Sequence, residues 1–227
     1  MWGIFGVEEL LGRGLNRIEC KYAPQALYVA GREDMVPLPG PRVAVVGTRH
    51  PTPGGLDATR RVARRLVGNK VVVVSGLARG IDTAAHIAAM EAGGRTVAVL
   101  GTPLDRFYPP ENRELQLRMM REQLVISQFP PDHITRQRDF PIRNRTMALL
   151  SDATLIMEAG ARSGTISQGW EALRLGRPLY IWKELFDAGQ EWVKDMARYG
   201  ARRLDENGLE DLLDELPSYP LDLTIEI

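Results

Sequence analysis

Cysteine is almost absent: Cys20 stands alone among 227 residues. A disulfide framework and a thiolate metal site are both excluded, and a lone cysteine is expected to be a small buried side chain. Histidine is scarce as well, with His50, His86 and His133 on three different segments and no metal-ligand spacing among them. No apolar run approaches the roughly 20 residues of a membrane-spanning helix, and Met1-Trp2-Gly3 does not open a signal peptide. A soluble, cytoplasmic protein without metal or cofactor is the expectation. Two nucleotide signatures are missing too. Neither Gly-x-Gly-x-x-Gly nor Gly-x-x-x-x-Gly-Lys-Ser/Thr occurs, which argues against a P-loop nucleotidase.

Net charge is also absent, with 29 basic and 29 acidic residues. The zero hides an asymmetry. From Glu184 onward there are twelve acidic residues and four basic ones, which leaves 25 basic and 17 acidic in residues 1–183. A basic body can bind polyanions despite an acidic tail, because screening confines each charge to about 10 Å. Arginine supplies 25 of the 29 basic residues, a bias that suits phosphate binding and equally an Arg-rich source genome.

What is present is a repeating strand–loop–helix pattern. Val71 to Ser75 reads as a strand buried on both faces, and Arg42 to Gly47, Thr96 to Leu100, Leu124 to Ser127, Thr154 to Glu158 and Leu179 to Trp182 read likewise. Helices are expected over Leu56 to Val67, Asp82 to Ala92, Glu111 to Glu122, Phe140 to Leu150 and Thr165 to Leu175. The alternation predicts an α/β fold, a Rossmann-like doubly wound, mostly parallel sheet. Residues 1–40 read as a leader packed on the core, 41–183 as the core, and 184–227 as an acidic segment of the same domain. That last segment carries two amphipathic helices, near Glu191 to Tyr199 and Leu209 to Leu216. On the helix after residue 56, Arg60, Arg61, Arg64 and Arg65 read as a solvated face.

In such a sheet, ligands bind beyond the carboxyl ends of the strands. Loops 47–55, 75–82, 101–112, 127–145 and 158–165 should converge there. The turn Ser75-Gly76-Leu77-Ala78-Arg79-Gly80-Ile81-Asp82 has the form of an anion site, with free helix N–H groups, a cap at Asp82 and a positive charge at Arg79. Arg136, Arg138, Arg143 and Arg145 fall within ten residues around Phe140. Arginines for phosphates beside an aromatic ring for a base is a single-strand binding arrangement, in which stacking contributes roughly 1–3 kcal/mol per base. Phe140 and Tyr108 are stacking candidates or core anchors. Arg143 and Arg145 would lie about 200° apart on a helix, so one should reach the ligand and the other pair internally. His86, four residues after Asp82, reads as its structural partner. Ser75 and Ser163 have no evident base, so the site looks built to hold an anion and not to transform one.

Several of these motifs carry a likeness. Val45-Val46-Gly47-Thr48-Arg49, Ser75 to Asp82 with His86, Gly101 to Pro109 with Asn112, Ser127 to Pro131, Phe140 to Arg145 and Ser163-Gly164-Thr165 occur in that order. Together they resemble the DprA/Smf family of DNA-processing proteins, over about residues 25–216. The resemblance implies a Rossmann-like core that binds single-stranded DNA, protects it during natural transformation, loads a RecA-type recombinase onto it, and forms a homodimer. It also implies DNA contacts from Gly47, Thr48, Arg49, Ser75, Gly76, Arg138, Phe140, Arg143, Asn144, Arg145, Ser163, Gly164 and Thr165. Gln128, Ser167-Gln168 and Trp182-Lys183-Glu184 depart from the family's usual residues. The helical and winged-helix domains that many members add are expected to be missing. Two other readings are a nucleotide-sensing module and a phosphoribohydrolase-type enzyme. The latter needs an acid where Arg162-Ser163-Gly164-Thr165-Ile166-Ser167-Gln168 has Gln168. A structural partner protein, suggested by the acidic tail, leaves the arginine loop unexplained.

Overall fold

Residues of opposite parity along each central strand face opposite layers. Val43, Val45, Val73 and Leu155 pack on one side of the sheet, and Ala44, Val46, Val74 and Ile156 on the other. Both sets are fully buried, as β-branched runs in a parallel sheet require. The computed structural model describes residues 2–161 and 163–219. The chain begins with β1 (Trp2–Phe5), α1 (Val7–Leu11), α2 (Arg17–Tyr22) and β2 (Leu27–Gly31), and then alternates. β3 (Arg42–Val46) leads to α3 (Pro53–Gly68), β4 (Val72–Ser75) to α4 (Ile81–Glu91), and β5 (Thr96–Leu100) to α5 (Arg113–Glu122). β6 (Leu124–Ser127) precedes α6 (Asp139–Leu149), and β7 (Ala153–Ile156) precedes α7 (Thr165–Arg174). The chain continues through β8 (Leu179–Trp182), α8 (Lys183–Asp187), α9 (Glu191–Arg198), β9 (Arg202–Leu204) and α10 (Leu209–Asp214).

Among the described residues the strands form one sheet in the order β1-β2-β6-β5-β4-β3-β7-β8-β9. The pairs from β6 through β9 are parallel, and β1 and β2 add antiparallel strands at one edge. This is a Rossmann-like α/β fold. From β3 the chain winds outward through β4, β5 and β6, then returns to β7 on the other side of β3 and winds the opposite way. The switch point therefore lies between β3 and β7, and a crevice opens there at the carboxyl ends of the strands. None of the described helices is long and apolar enough to cross a membrane.

Two local differences from the sequence reading, at the start of α3 and at Cys20, have plain causes. α3 begins at Pro53, not near Leu56, because Thr52 caps it by accepting the Gly55 N–H at 3.0 Å and proline suits the first turn. The arginine face of α3 is exposed, as expected of a solvated face, and carries surface ion pairs: Arg61 with Glu206 at 2.9 Å, Arg60 with Asp57 at 3.0 Å, and Arg65 with Glu210. The acidic tail thus neutralises part of the basic body. Cys20 is exposed, since it sits on the solvent side of the short helix α2.

Candidate nucleic-acid interface

The loop after β3 is shaped by what surrounds it. A side chain at Gly47 would meet Ile81 Cγ1 at 2.5 Å and the Glu158 carbonyl at 2.9 Å, so only glycine fits. The Thr48 N–H donates to the Glu158 carbonyl at 2.6 Å, and the Thr48 carbonyl accepts the Ile81 N–H at 3.2 Å. These bonds brace the loop against the segment after β7 and the start of α4, and Arg49 is left facing outward. Arg49 is exposed, with its guanidinium 5.9 Å from the centre of the Phe140 ring. Phe140 in turn packs under Gly101, where a Cβ would meet it at 2.6 Å, and lies 5.3 Å from the Tyr108 ring. Arg49, Phe140 and Tyr108 therefore form a ladder of flat groups across the edge of the sheet.

The turn after β4 is closed from within, contrary to its reading as an open anion site. Asp82 Oδ2 accepts the Gly76 N–H at 3.1 Å and the Ala78 N–H at 3.4 Å. At the start of α4, the N–H groups of Ile81, Thr83 and Ala84 donate to the carbonyls of Thr48, Ala78 and Gly80. Ser75 is buried, its hydroxyl donating to the Val45 carbonyl at 2.7 Å, so it faces no ligand. Arg79 is exposed but pairs with Glu111. Burial pushes the Asp82 carboxyl above its ordinary range, and the Arg143 charge and the backbone N–H groups oppose that rise.

Arg143 is the buried counterpart. Its Nη1 donates to the carbonyls of Gly76 at 2.5 Å and Val99 at 2.8 Å, and its Nε to Asn144 Oδ1 at 3.0 Å. The side chain lines the crevice floor with little exposure. Arg145 points elsewhere. Its guanidinium donates to Glu171 at 3.0 Å and lies over the Tyr22 ring at 5.0 Å, between α6, α7 and α2. It does not reach the crevice, because the helical turn that aims Arg143 inward carries Arg145 to the other face. His86 is not bonded to Asp82. Its Nδ1 lies 2.7 Å from Thr96 Oγ1, and burial, joined by the Arg143 charge, depresses its pKa to about 3.

The crevice, of about 500 Å³, takes its walls from Gly47-Thr48-Arg49, Phe140, Arg143, Asn144 and the start of α7. At that third turn, Ser163 Oγ accepts the Thr165 N–H at 3.2 Å and lies 2.9 Å from the Thr165 hydroxyl, while Asn144 Nδ2 donates to the Gly164 carbonyl at 3.2 Å. Arg162 lies outside the described residues. A smaller hollow of about 160 Å³ adjoins the crevice through Arg49, Phe140 and Arg143, and Tyr108 forms its far wall. Gln168, on the crevice side of α7, is an amide that donates to Thr154 Oγ1 at 3.4 Å. Among the described residues no cluster of His, Cys, Asp or Glu is arranged to hold a metal ion.

Sequence reasoning missed Glu158, which sits at the switch point. Its carboxylate accepts the Thr52 N–H at 3.1 Å and the Thr52 hydroxyl at 3.1 Å, and a Cβ on Gly55 would overlap it. An internal carboxylate thus fills the amino end of α3, where a nucleotide phosphate would sit in a nucleotide-binding relative of this fold. Its signal was an acid directly after a buried strand, facing a Pro-Gly-Gly helix start.

With these pairings made, the remaining positive charge is localised. Exposed arginines that form no close ion pair with a carboxylate among the described residues are Arg17, Arg49, Arg106, Arg121, Arg136 and Arg138, of which Arg138 acts on Asp139 through its charge. Four of them, Arg49, Arg106, Arg136 and Arg138, belong to the loops at the carboxyl edge.

The family model for DNA recombination-mediator protein A matches residues 11–217. The chain belongs to this family. It is 39% identical over 194 residues to the protein Smf of a Synechocystis strain, covering 85% of this chain and 47% of that protein's length. The X-ray structure of DNA processing protein A from Streptococcus pneumoniae superposes with a TM-score of 0.79 at 33% identity, over 96% of this chain and 75% of that one. The structure of DNA processing protein A from Helicobacter pylori, which describes the single-stranded DNA binding mode of that protein, gives 0.78 at 25% identity over 96% and 98%.

Proposed function

We propose that this chain binds single-stranded DNA in the crevice and hands it to a RecA-type recombinase, acting in the cytoplasm as a homodimer in the uptake and recombination of DNA. One observation carries the DNA reading. Unpaired arginines and two exposed-edge aromatics share the carboxyl edge, while internal carboxylates occupy two of the three turns where a free nucleotide would place its phosphates. A strand can lay its backbone along Arg49, Arg138 and the start of α7 without entering either closed turn, and its bases can meet Phe140 and Tyr108. Gly47, Thr48, Asn144, Ser163, Gly164 and Thr165 supply close backbone approach and neutral donors. Arg143 and Gly76 shape the floor from beneath. The same closed turns weigh against a nucleotide sensor. The buried amide of Gln168 weighs against the hydrolase, since it cannot act as a carboxylate. The non-enzymatic role rests on this donor-rich, base-poor lining. The recombinase contact and the homodimer rest on the family resemblance alone.

The test is fluorescence anisotropy of a labelled thymine oligomer across a salt series, with matching duplex and free nucleotides as competitors. Single-strand preference with a log–log salt slope of about −2 to −3 is expected, given about 0.7 per phosphate neutralised and three to four free arginines. No oligomer binding, with a probe displaced by mononucleotide, would replace this reading with the sensor.

A further inference from the structure

Beyond Tyr108 the edge of the sheet opens into a second hollow, of about 580 Å³, between the loop after β5 and the loop before α6. Tyr108 lines both this hollow and the smaller one beneath Arg49, so the two adjoin at that ring. We propose that this hollow is a second subsite, which takes an unpaired nucleobase further along the same strand.

Its lining sets Phe107, Tyr108, His133 and Ile134 among polar residues, and the Phe107 and His133 rings are held in place. Arg113 covers one face of Phe107, 5.0 Å from the ring centre. His133 stacks on Phe129 at 4.7 Å and binds Asp139 through Nε2 at 2.7 Å. Ile134, which forms a lip, is 75% exposed, and Tyr108 is 47% exposed. Large apolar side chains left this open beside a concave surface fit a flat, partly apolar occupant that arrives from solvent. The charges sort the parts of a nucleotide. Arg106, Arg136 and Arg138 are exposed on the two flanking loops and form no close ion pair with a carboxylate among the described residues, so the backbone has counter-charges at the rim. Asp105 and Asp132 stand in the lining, where they repel phosphate and can accept from the N–H groups of a base edge. The order along the surface is then the start of α7, Arg49, Phe140, Tyr108, and this hollow. The ring spacings of 5.9 and 5.3 Å leave no gap in the ladder between the two sites.

The inference rests on the single-strand reading of the crevice, and oligomer length separates the two. Anisotropy is measured with thymine oligomers of about 4 and about 12 nucleotides on the wild type and on Ile134→Asp and Ile134→Asn. Ile134 is exposed, and thermal unfolding checks that the fold is kept. The expected result is unchanged affinity for the short oligomer and at least a fivefold loss for the long one. Equal affinities of wild type and variants at both lengths would overturn the subsite while leaving the crevice reading intact. Equal losses at both lengths in folded variants would also overturn it, since Ile134 would then belong to the first site. Absence of binding at either length in the wild type would remove both. A second readout is photo-crosslinking with 5-iodouracil placed singly along the long oligomer. A crosslink to Phe107 or His133 from a position distinct from the one that reaches Phe140 is expected. Crosslinks confined to Phe140 and Tyr108 would overturn the subsite.

Discussion

Arg143 and Asp82 close the same turn from opposite sides of one residue. The guanidinium donates to the Gly76 carbonyl at 2.5 Å, and the carboxylate accepts the Gly76 N–H at 3.1 Å. Glycine is required between them, because a Cβ there would lie 2.2 Å from Arg143 Nη1. The pair locks the strand-to-helix turn after β4, and β4 sits at the middle of the sheet.

Arg143→Ala is therefore expected to damage the fold, not merely the ligand site. It strips two buried carbonyls of a donor and leaves a buried carboxylate without its counter-charge, a loss on the order of 3–5 kcal/mol. The pH dependence gives a separate sign. The folded Asp82 carboxyl lies above its ordinary value of 3.8, so the native state holds the proton longer than the unfolded chain. Stability declines as pH climbs from that ordinary value through the folded one, and in the variant the decline extends to higher pH. Urea unfolding between about pH 4 and 8 reads both effects. Wild-type stability in the variant would return Arg143 to the role of a ligand contact.

Arg49→Ala and Arg145→Ala should behave in opposite ways. Arg49 is exposed and holds no carboxylate, so its loss should weaken single-strand binding severalfold and lower the salt slope by about 0.7, with the melting temperature unchanged. Arg145 is bound to Glu171 and Tyr22, so its loss should cost at most about 1 kcal/mol of stability and change affinity less than twofold. If Arg145→Ala abolished binding while folding normally, α6 would have to present its other face to DNA.

Glu158→Ala should open a site that the wild type keeps shut. The substitution removes the carboxylate at Thr52 and the start of α3, at a cost of about 1 kcal/mol. Inorganic phosphate at millimolar concentration should then raise the melting temperature of the variant relative to chloride at equal ionic strength, and leave the wild type unmoved. An equal response in both proteins would mean that Glu158 does not guard the turn.

The contrast among these residues shows what a sequence can carry. The central strands were readable because their β-branched runs have no other stable use, and their order of alternation with helices implies the parallel sheet. β1 and β2 were not readable, since Trp2–Phe5 and Leu27–Gly31 are short: β2 gains its place by antiparallel pairing with β6, almost a hundred residues away, and β1 by pairing with β2. The glycine turns were located correctly, but whether their N–H groups are free depends on side chains arriving from elsewhere. Asp82 lies within its own turn, yet Glu158 reaches α3 from the end of β7. Among the arginines, sequence position gave the loop and not the partner. Arg79 and Arg145 are neutralised by Glu111 and Glu171, each distant in sequence, while Arg49 is left free.

Gly101→Ala separates stacking from charge. Gly101 follows β5, and its backbone lies so close to Phe140 that an added Cβ would stand 2.6 Å from Cδ1 and 2.9 Å from Cε1 of the ring. The ring has to move, because the backbone on the strand side is held in the sheet. Displacing it breaks the 5.3 Å contact with Tyr108 and the 5.9 Å contact with Arg49, without altering any charged group. Affinity for a thymine oligomer is expected to fall by the worth of about one stacked base, roughly 1–3 kcal/mol, while the slope against salt stays that of the wild type. A 2-aminopurine reporter in the strand should brighten as its stacking is lost. If the slope fell along with the affinity, Phe140 would be orienting the Arg49 guanidinium toward phosphate, and the base would not be resting on the ring.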